Sequence, residues 1–233
     1  ANTVRVDLSA VPAIIENAGN NAPVTFDSLR GRTFINLLGR AGKDGSQWTV
    51  KSGNVSVDTL NNQIVVTAAD AGWRGVKAKT NVTLDATKYY LVACSAKAVI
   101  ANRFRLQVEN PANTVQVVYA DTYSKTDYEF AYVAFHGSEL GTDYFPVEVQ
   151  LWVDSVSLNN QAFVDGVRFF ELSEDEYFMI TDPFYFKPED LPLCFPYVED
   201  MKSLTNTYIR HPSKNLIPPF TLWNLHANAV IKE

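Results

Sequence analysis

Between Arg103 and Glu109 apolar and polar residues alternate without a break. Phe104, Leu106 and Val108 fall on one side of an extended chain, and Arg103, Arg105, Gln107 and Glu109 on the other. Successive side chains of a strand point to opposite faces, so this run predicts one face in a core and one toward solvent or ligand. The pattern recurs over 145–154, where Val147, Val149, Leu151 and Val153 alternate with Glu148, Gln150, Trp152 and Asp154. Further alternating runs near 62–68, 74–80, 88–99, 114–120, 128–136 and 162–171 are divided by turn residues at Asn61-Asn62, Ala71-Gly72, Asn110-Pro111 and His136-Gly137. Strands at this spacing predict an all-β fold, a jelly-roll β-sandwich over 36–173. Phe104, Leu106, Val108, Val147, Val149, Leu151 and Cys94 are its expected core.

The flanks lack this periodicity, and short helical and irregular extensions are expected at both ends. Residues 1–35 read as an N-terminal arm with a short helix over Ala10–Asn17. Ser173 and Glu176 have capping-box spacing, which predicts a short helix at the end of the strand run. Seven of the eleven prolines fall within 183–219, so 174–214 reads as that helix followed by an ordered but non-repetitive linker. Asn215-Leu216-Ile217 with Trp223 echoes Asn36-Leu37-Leu38 with Trp48, and marks 215–233 as the start of a following, truncated module.

Composition removes several function classes. Twenty Lys and Arg against 26 Asp and Glu give a net charge of −6, and no basic stretch could neutralise a run of phosphates, so nucleic acid is not an expected partner. A membrane is not expected either, because no run of about 18 apolar residues occurs. Cys94 lies on the apolar side of an alternating run and reads as core. Cys194 lies in the Pro-rich segment, and the two are not expected to pair.

Catalytic signals are sparse. His136, His211 and His226 share no motif with a nucleophile. In the run Glu148 to Asp154 the carboxylates stand far apart with Gln150 between them, so no acid and nucleophile pair can be named and no enzyme is expected. Binding signals are better. Trp152, on the polar side of its strand between Gln150 and Asp154, offers an aromatic plane with hydrogen-bonding neighbours, which suits the C–H face and hydroxyls of a sugar ring. Cover by the N-terminal arm or by a neighbouring subunit is the equally weighted alternative for this tryptophan. Trp73 with Arg74, at a loop or strand start, could line a rim. Arg105 and Gln107 complete the candidate ligand-binding set of Trp152, Trp73, Gln150, Arg105 and Gln107.

Asn36-Leu37-Leu38 with Trp48 resembles the opening strand of jelly-roll carbohydrate-binding modules. Phe163-Val164-Asp165-Gly166-Val167-Arg168-Phe169-Phe170 resembles their closing strand. The resemblance covers roughly 36–172 and implies polysaccharide binding without a required cofactor. It also implies a structural calcium ion with Asp165 as ligand. The chain departs from the family at Arg40-Ala41-Gly42-Lys43-Asp44, which replaces the family's usual Asn-Gly and Phe-Glu and leaves the carboxylate partner of Asp165 open. Residues 25–40, the closing strand with Ser173-Glu174-Asp175-Glu176-Tyr177, and Phe195-Pro196-Tyr197-Val198 before Asn215-Leu216 resemble segments of virion structural proteins of tailed phages of Gram-positive bacteria. That resemblance implies a module on the virion surface, present as a homo-oligomer among other virion proteins and contacting host cell-wall polysaccharide. The alternative it leaves open is a purely structural assembly domain whose arms, 1–35 and 174–233, dock on neighbouring copies. A glycan-degrading enzyme ranks last.

Overall fold

The computed structural model describes residues 33–80, 82–156, 159–182, 186–199 and 201–203, with three short strands nearer the N-terminus. Its contacts separate two units, residues 35–201 and residues 1–34 with 202–233. In the smaller unit β1 (Val4–Val6), β2 (Ile14–Asn17) and β3 (Ala22–Thr25) form an antiparallel sheet in the order β1-β2-β3. The helix expected over Ala10–Asn17 is therefore corrected at Ile14–Asn17 to a strand. β-Branched residues favour a ladder, and here β3 pairs with all of Ile14–Asn17 and β1 with Ile15, Glu16 and Asn17. The segment 215–233, with the expected module start, lies outside the described residues.

β4 (Thr33–Ile35) pairs with a strand at Met201–Ser203. The larger unit is an antiparallel sandwich of β5 (Trp48–Ser52), β6 (Val55–Leu60), β7 (Gln63–Ala68), β8 (Gly72–Ala78), β9 (Val82–Asp85), β10 (Tyr89–Lys97), β11 (Arg103–Asn110), β12 (Asn113–Thr122), β13 (Glu129–His136), β14 (Tyr144–Ser155) and β15 (Asn160–Leu172). One sheet has the order β13-β10-β15-β7-β6. The other runs β12-β11-β14-β8-β5, with β9 beside the start of β14. The expected strands are all present, and β8 begins two residues earlier than its pattern suggested, which brings Trp73 into the ladder. β9 was not expected, because Val82 and Leu84 alternate over too few residues to register a period. At Asn61-Asn62 both φ angles are positive (52° and 61°), as a tight turn between β6 and β7 requires.

Asn36-Leu37-Leu38 is not the opening strand. It is a turn leading into a 3-10 turn at Gly39–Gly42, and the sandwich opens at β5. The Asn36 side chain substitutes for a ladder: Nδ2 donates to Val167 O at 3.2 Å and to Val198 O at 2.9 Å, while Phe169 N donates to Oδ1 at 3.0 Å. One buried amide thus ties three segments distant in sequence.

The interior is built by alternation. Phe104, Leu106, Val108, Val147, Val149, Leu151, Val153 and Cys94 are all fully buried, as expected from the pattern. In β15 the alternation changes phase. Ala93 pairs with Arg168 but Ser95 with Asp165, so β15 carries one extra residue, accommodated at Gly166 with φ of 61°. Ala162 and Val164 point inward before this bulge, Val167 and Phe169 after it. The outward set becomes Arg168, Phe170 and Leu172, and these are buried all the same.

What covers them is the C-terminal part of the unit. Ser173 Oγ accepts from Glu176 N at 3.2 Å, and the Glu176 carboxylate accepts from Ser173 N at 2.8 Å, starting α1 (Glu174–Thr181) as the capping box requires. α1 packs on β10, β13 and β15. Beyond it Phe186, Phe195, Val198 and Leu191, which opens the single-turn α2 (Leu191–Cys194), are buried, with Phe186 5.6 Å from the Tyr132 ring and Arg168 Nη1 donating to Phe195 O at 2.7 Å. Burial of each such apolar side chain is worth about 1.5–3 kcal/mol, enough to hold a Pro-rich segment without ladder hydrogen bonds. Both cysteines are free, and burial pushes the Cys94 thiol up to about 12.

Leu151→Ala is expected to destabilise the sandwich by about 2–5 kcal/mol in denaturant unfolding, whereas Val115→Ala, at a side chain 85% exposed, should change stability by less than about 0.5 kcal/mol. Equal effects would show that the faces are assigned wrongly.

Candidate functional site

The first sheet is covered outside by α1 and residues 186–199, and the polar face of the second lies on the other side of the sandwich. On that face antiparallel register sets Arg103, Arg105, Gln107 and Glu109 of β11 opposite Asp154, Trp152, Gln150 and Glu148 of β14. β8 brings Trp73, Gly75 and Lys77 opposite Asp154, Trp152 and Gln150. β12 adds Asp121 and Tyr119 opposite Arg105 and Gln107. Trp152, Trp73, Gln150, Arg105 and Gln107 therefore occupy one face of three adjacent strands.

Trp152 lies against Gly75. A Cβ at that glycine would stand 2.6, 2.7 and 2.8 Å from Trp152 Cδ2, Cε3 and Cε2, three contiguous ring atoms at nearly equal distance, so the indole presents its face to the strand. Its other face points away from the sheet, and the residue is partly exposed. Nε1 donates to Gln150 Oε1 at 2.8 Å, which fixes the ring in its plane. Trp73 is engaged differently. The guanidiniums of Arg103 and Arg105 lie 4.5 and 4.6 Å from its ring, and Arg105 also stands 4.0 Å from the Tyr119 ring. Trp73 spends ring surface on cations, so Trp152 is the better platform.

Around the platform the polar groups form a connected carpet. Gln107 Nε2 donates to Gln150 Oε1 at 3.0 Å and to Glu109 Oε2 at 3.1 Å, and Gln150 Nε2 donates to Glu148 Oε2 at 3.3 Å. Lys51 bridges Glu109 and Glu148 at 3.0 and 2.7 Å, and Lys77 reaches Glu148 at 2.5 Å. Arg105 holds Asp121 through two hydrogen bonds, and Arg103 reaches both Asp154 and Asp121. Burial pushes the Glu148 carboxyl up, but hydrogen bonds and charge from Lys51 and Lys77 outweigh it and hold the group below its usual range. Burial likewise lowers Lys51, and the two carboxylates reverse this, so its ammonium is held above its usual range.

No protein-family model matches the chain. No curated protein sequence matches it either. Among solved structures it is similar to the enzymatically active domain of tailspike protein 4 of bacteriophage CBA120, with 15% identity and a TM-score of 0.45 over 59% of this chain and 22% of that one. It is similar to the carbohydrate-binding module TmCBM61 in complex with β-1,4-galactotriose, with 14% identity and a TM-score of 0.40 over 60% of this chain and 99% of that one. A family 16 carbohydrate-binding module shares 17% identity and a TM-score of 0.40 over 58% and 100% of the two chains. The chain spans about a fifth of the tailspike chain's length.

Sequence reasoning named no carboxylate pair, yet the fold makes one: Glu109 and Glu148 stand directly opposite on neighbouring strands. They lie 39 positions apart in sequence, and only the β11–β14 register joins them. Glu148 is unsuited to act as a general acid. A general acid needs a raised pKa, whereas Glu148 is depressed by two ammonium groups, and both carboxylates are buried beneath their partners. Lys51 and Lys77 were missed for the same reason, since their alternation within β5 and β8 says nothing about which carboxylates they will meet.

Asp165, where the resemblance puts a calcium ligand, sits just before the β15 bulge with Oδ1 3.0 Å from Lys43 Nζ, and the same ammonium lies 5.0 Å from the Tyr197 ring. Among the described residues no three His, Cys, Asp or Glu side chains converge. Calcium takes six to eight oxygens, carbonyl and water oxygens among them, and an ion bound at Asp165 would have to displace the Lys43 ammonium.

Two outcomes follow from these charges. EDTA and added calcium should each leave Tm within about 1 °C, while Lys43→Met should lower it by no more than about 2–4 °C; a rise of several degrees with calcium would show that Asp165 binds metal. Because Glu148 is depressed, its contribution to stability is complete above its ordinary value of 4.5, declines as pH falls below it, and is gone once the folded-state pKa is passed. Glu148→Gln should therefore show a shallower acid loss of Tm than the unsubstituted protein, and parallel acid limbs would contradict the assignment.

Proposed function

We propose that this protein binds glycan, without cleaving it, on the outer face of the β12-β11-β14-β8-β5 sheet. The observation that carries this reading is Trp152. Its indole is seated face-on over Gly75, pinned by Gln150, and surrounded by amide, carboxylate and ammonium groups. A sugar ring can stack its C–H face on the outward side of such a plane while its hydroxyls exchange hydrogen bonds with the carpet. The depressed Glu148 carboxyl supports binding over hydrolysis.

In its finer form the reading is an adhesion module of a phage virion structural protein, on the particle surface, contacting the cell-wall polysaccharide of a Gram-positive host. Weak single sites would gain there from many copies alongside other virion proteins. A second reading, an assembly domain, is favoured by exposed aromatic side chains away from the platform: Phe178 on α1 is 56% exposed, and Tyr144, at the β9 end of β14, 75%. In that case a neighbouring copy covers them.

Titration of purified Gram-positive cell-wall polysaccharide into the monovalent protein should show Trp152→Ala binding roughly tenfold more weakly, a loss of about 1 kcal/mol. Gly75→Ala should weaken binding comparably, because the new methyl displaces the indole from its seat. Thermal unfolding verifies that both variants fold. Equal binding by folded Trp152→Ala removes Trp152 from the site, and no binding by any form favours the assembly reading.

A further inference from the structure

The charges on this face are matched one against another. It carries four cations, Lys51, Lys77, Arg103 and Arg105, and four carboxylates, Glu109, Asp121, Glu148 and Asp154, joined by contacts of 2.5 to 3.6 Å. Each cation has at least one carboxylate partner on the face itself. Arg103 and Arg105 are held a second time by the Trp73 and Tyr119 rings, which leaves the guanidiniums little freedom to turn toward a ligand.

From this pairing we infer that the face selects uncharged glycans and rejects polyanionic ones. The inference rests on the glycan-binding reading and deepens it. A uronate or phosphate arriving at the platform can gain a cation only by taking it from a carboxylate. Glu109 is about 94% buried and is paired with Lys51, so stripped of that ammonium it would be left as an unpaired charge with little access to water, and Glu148 would keep one of its two ammonium partners. Asp121 and Asp154 stand beside the arginines and repel an anion that approaches from the Trp73 side. A neutral sugar faces neither obstacle. Its hydroxyls can donate to the part-exposed Asp154 carboxylate and accept from Lys77 and Arg103 hydrogens while every ion pair stays closed. The carpet thus excludes by charge what the tryptophan alone would accept, since stacking is indifferent to a substituent at the ring's edge.

The test uses neutral polymers (galactan, xylan, glucomannan) and two polyanions (polygalacturonate and wall teichoic acid), each titrated from about 0.1 M to about 1 M salt, over which the screening length falls from about 10 Å to about 3 Å. The expected result is binding of a neutral polymer with affinity constant within about twofold across the range, and binding of the polyanions at least roughly tenfold weaker. The Asp121→Asn/Asp154→Asn variant frees both arginines and should gain polyanion binding that weakens as salt rises. Tighter binding of a polyanion by the unsubstituted protein, with loss in salt, overturns the selectivity while leaving glycan binding intact. So does a folded double variant that gains nothing. Absence of binding to every polymer by a folded protein overturns the glycan reading and this inference with it.

Discussion

The period of two along β14 is the constraint on which the rest depends. Val147, Val149, Leu151 and Val153 are each completely buried, and a shift of one residue in register would put Glu148, Gln150, Trp152 and Asp154 into the core in their place. β14 is the middle strand of its sheet, with β11 on one side and β8 and β9 on the other, so it passes its register to both neighbours. Burial of four aliphatic side chains therefore decides where an indole, an amide and two carboxylates stand. The polar face is the reverse side of the core, and its geometry is as firmly determined as the packing behind it.

The two sheets treat their outer faces differently, and one inserted residue makes the difference in β15. The bulge at Gly166 rotates the downstream half of the strand by one phase, so that Arg168, Phe170 and Leu172 point away from the sandwich. Two large apolar side chains outside a sheet need cover, and the chain supplies it with α1, Phe186, Leu191, Phe195 and Val198. The Arg168 guanidinium, buried among them, donates to Gly166 O and Phe195 O and so ties the covering segment to the bulge that requires it. Residues 186–199 are a layer of the unit.

On the other sheet the electrostatics are self-contained. Lys51 is held charged by Glu148 and Glu109, and Glu148 by Lys51 and Lys77, so each group stabilises the ionised form of the next. Two ammonium groups meet Glu148 and one meets Glu109, and at Glu148 their charge outweighs the cost of burial. The charges that surround the pair, more than its spacing, hold Glu148 in its ionised form.

Much of this architecture was legible in the residues. Alternation identified the strands, the core and the outward company of Trp152, and Ser173 with Glu176 marked the helix, because these depend on local geometry that repeats within a few residues. Asn36-Leu37-Leu38 misled for an equally physical reason: an amide side chain there bonds the closing strand as a backbone ladder would, and side-chain hydrogen bonds leave no period. The sequence by itself determined which side chains leave each strand on the same side. Only the tertiary structure decided that Lys51, Lys77, Glu109 and Glu148 meet, that Gly75 lies beneath Trp152, and that Lys43 faces Asp165, because those contacts follow from which strands lie side by side and in what register, and that is settled by packing between segments far apart in the chain.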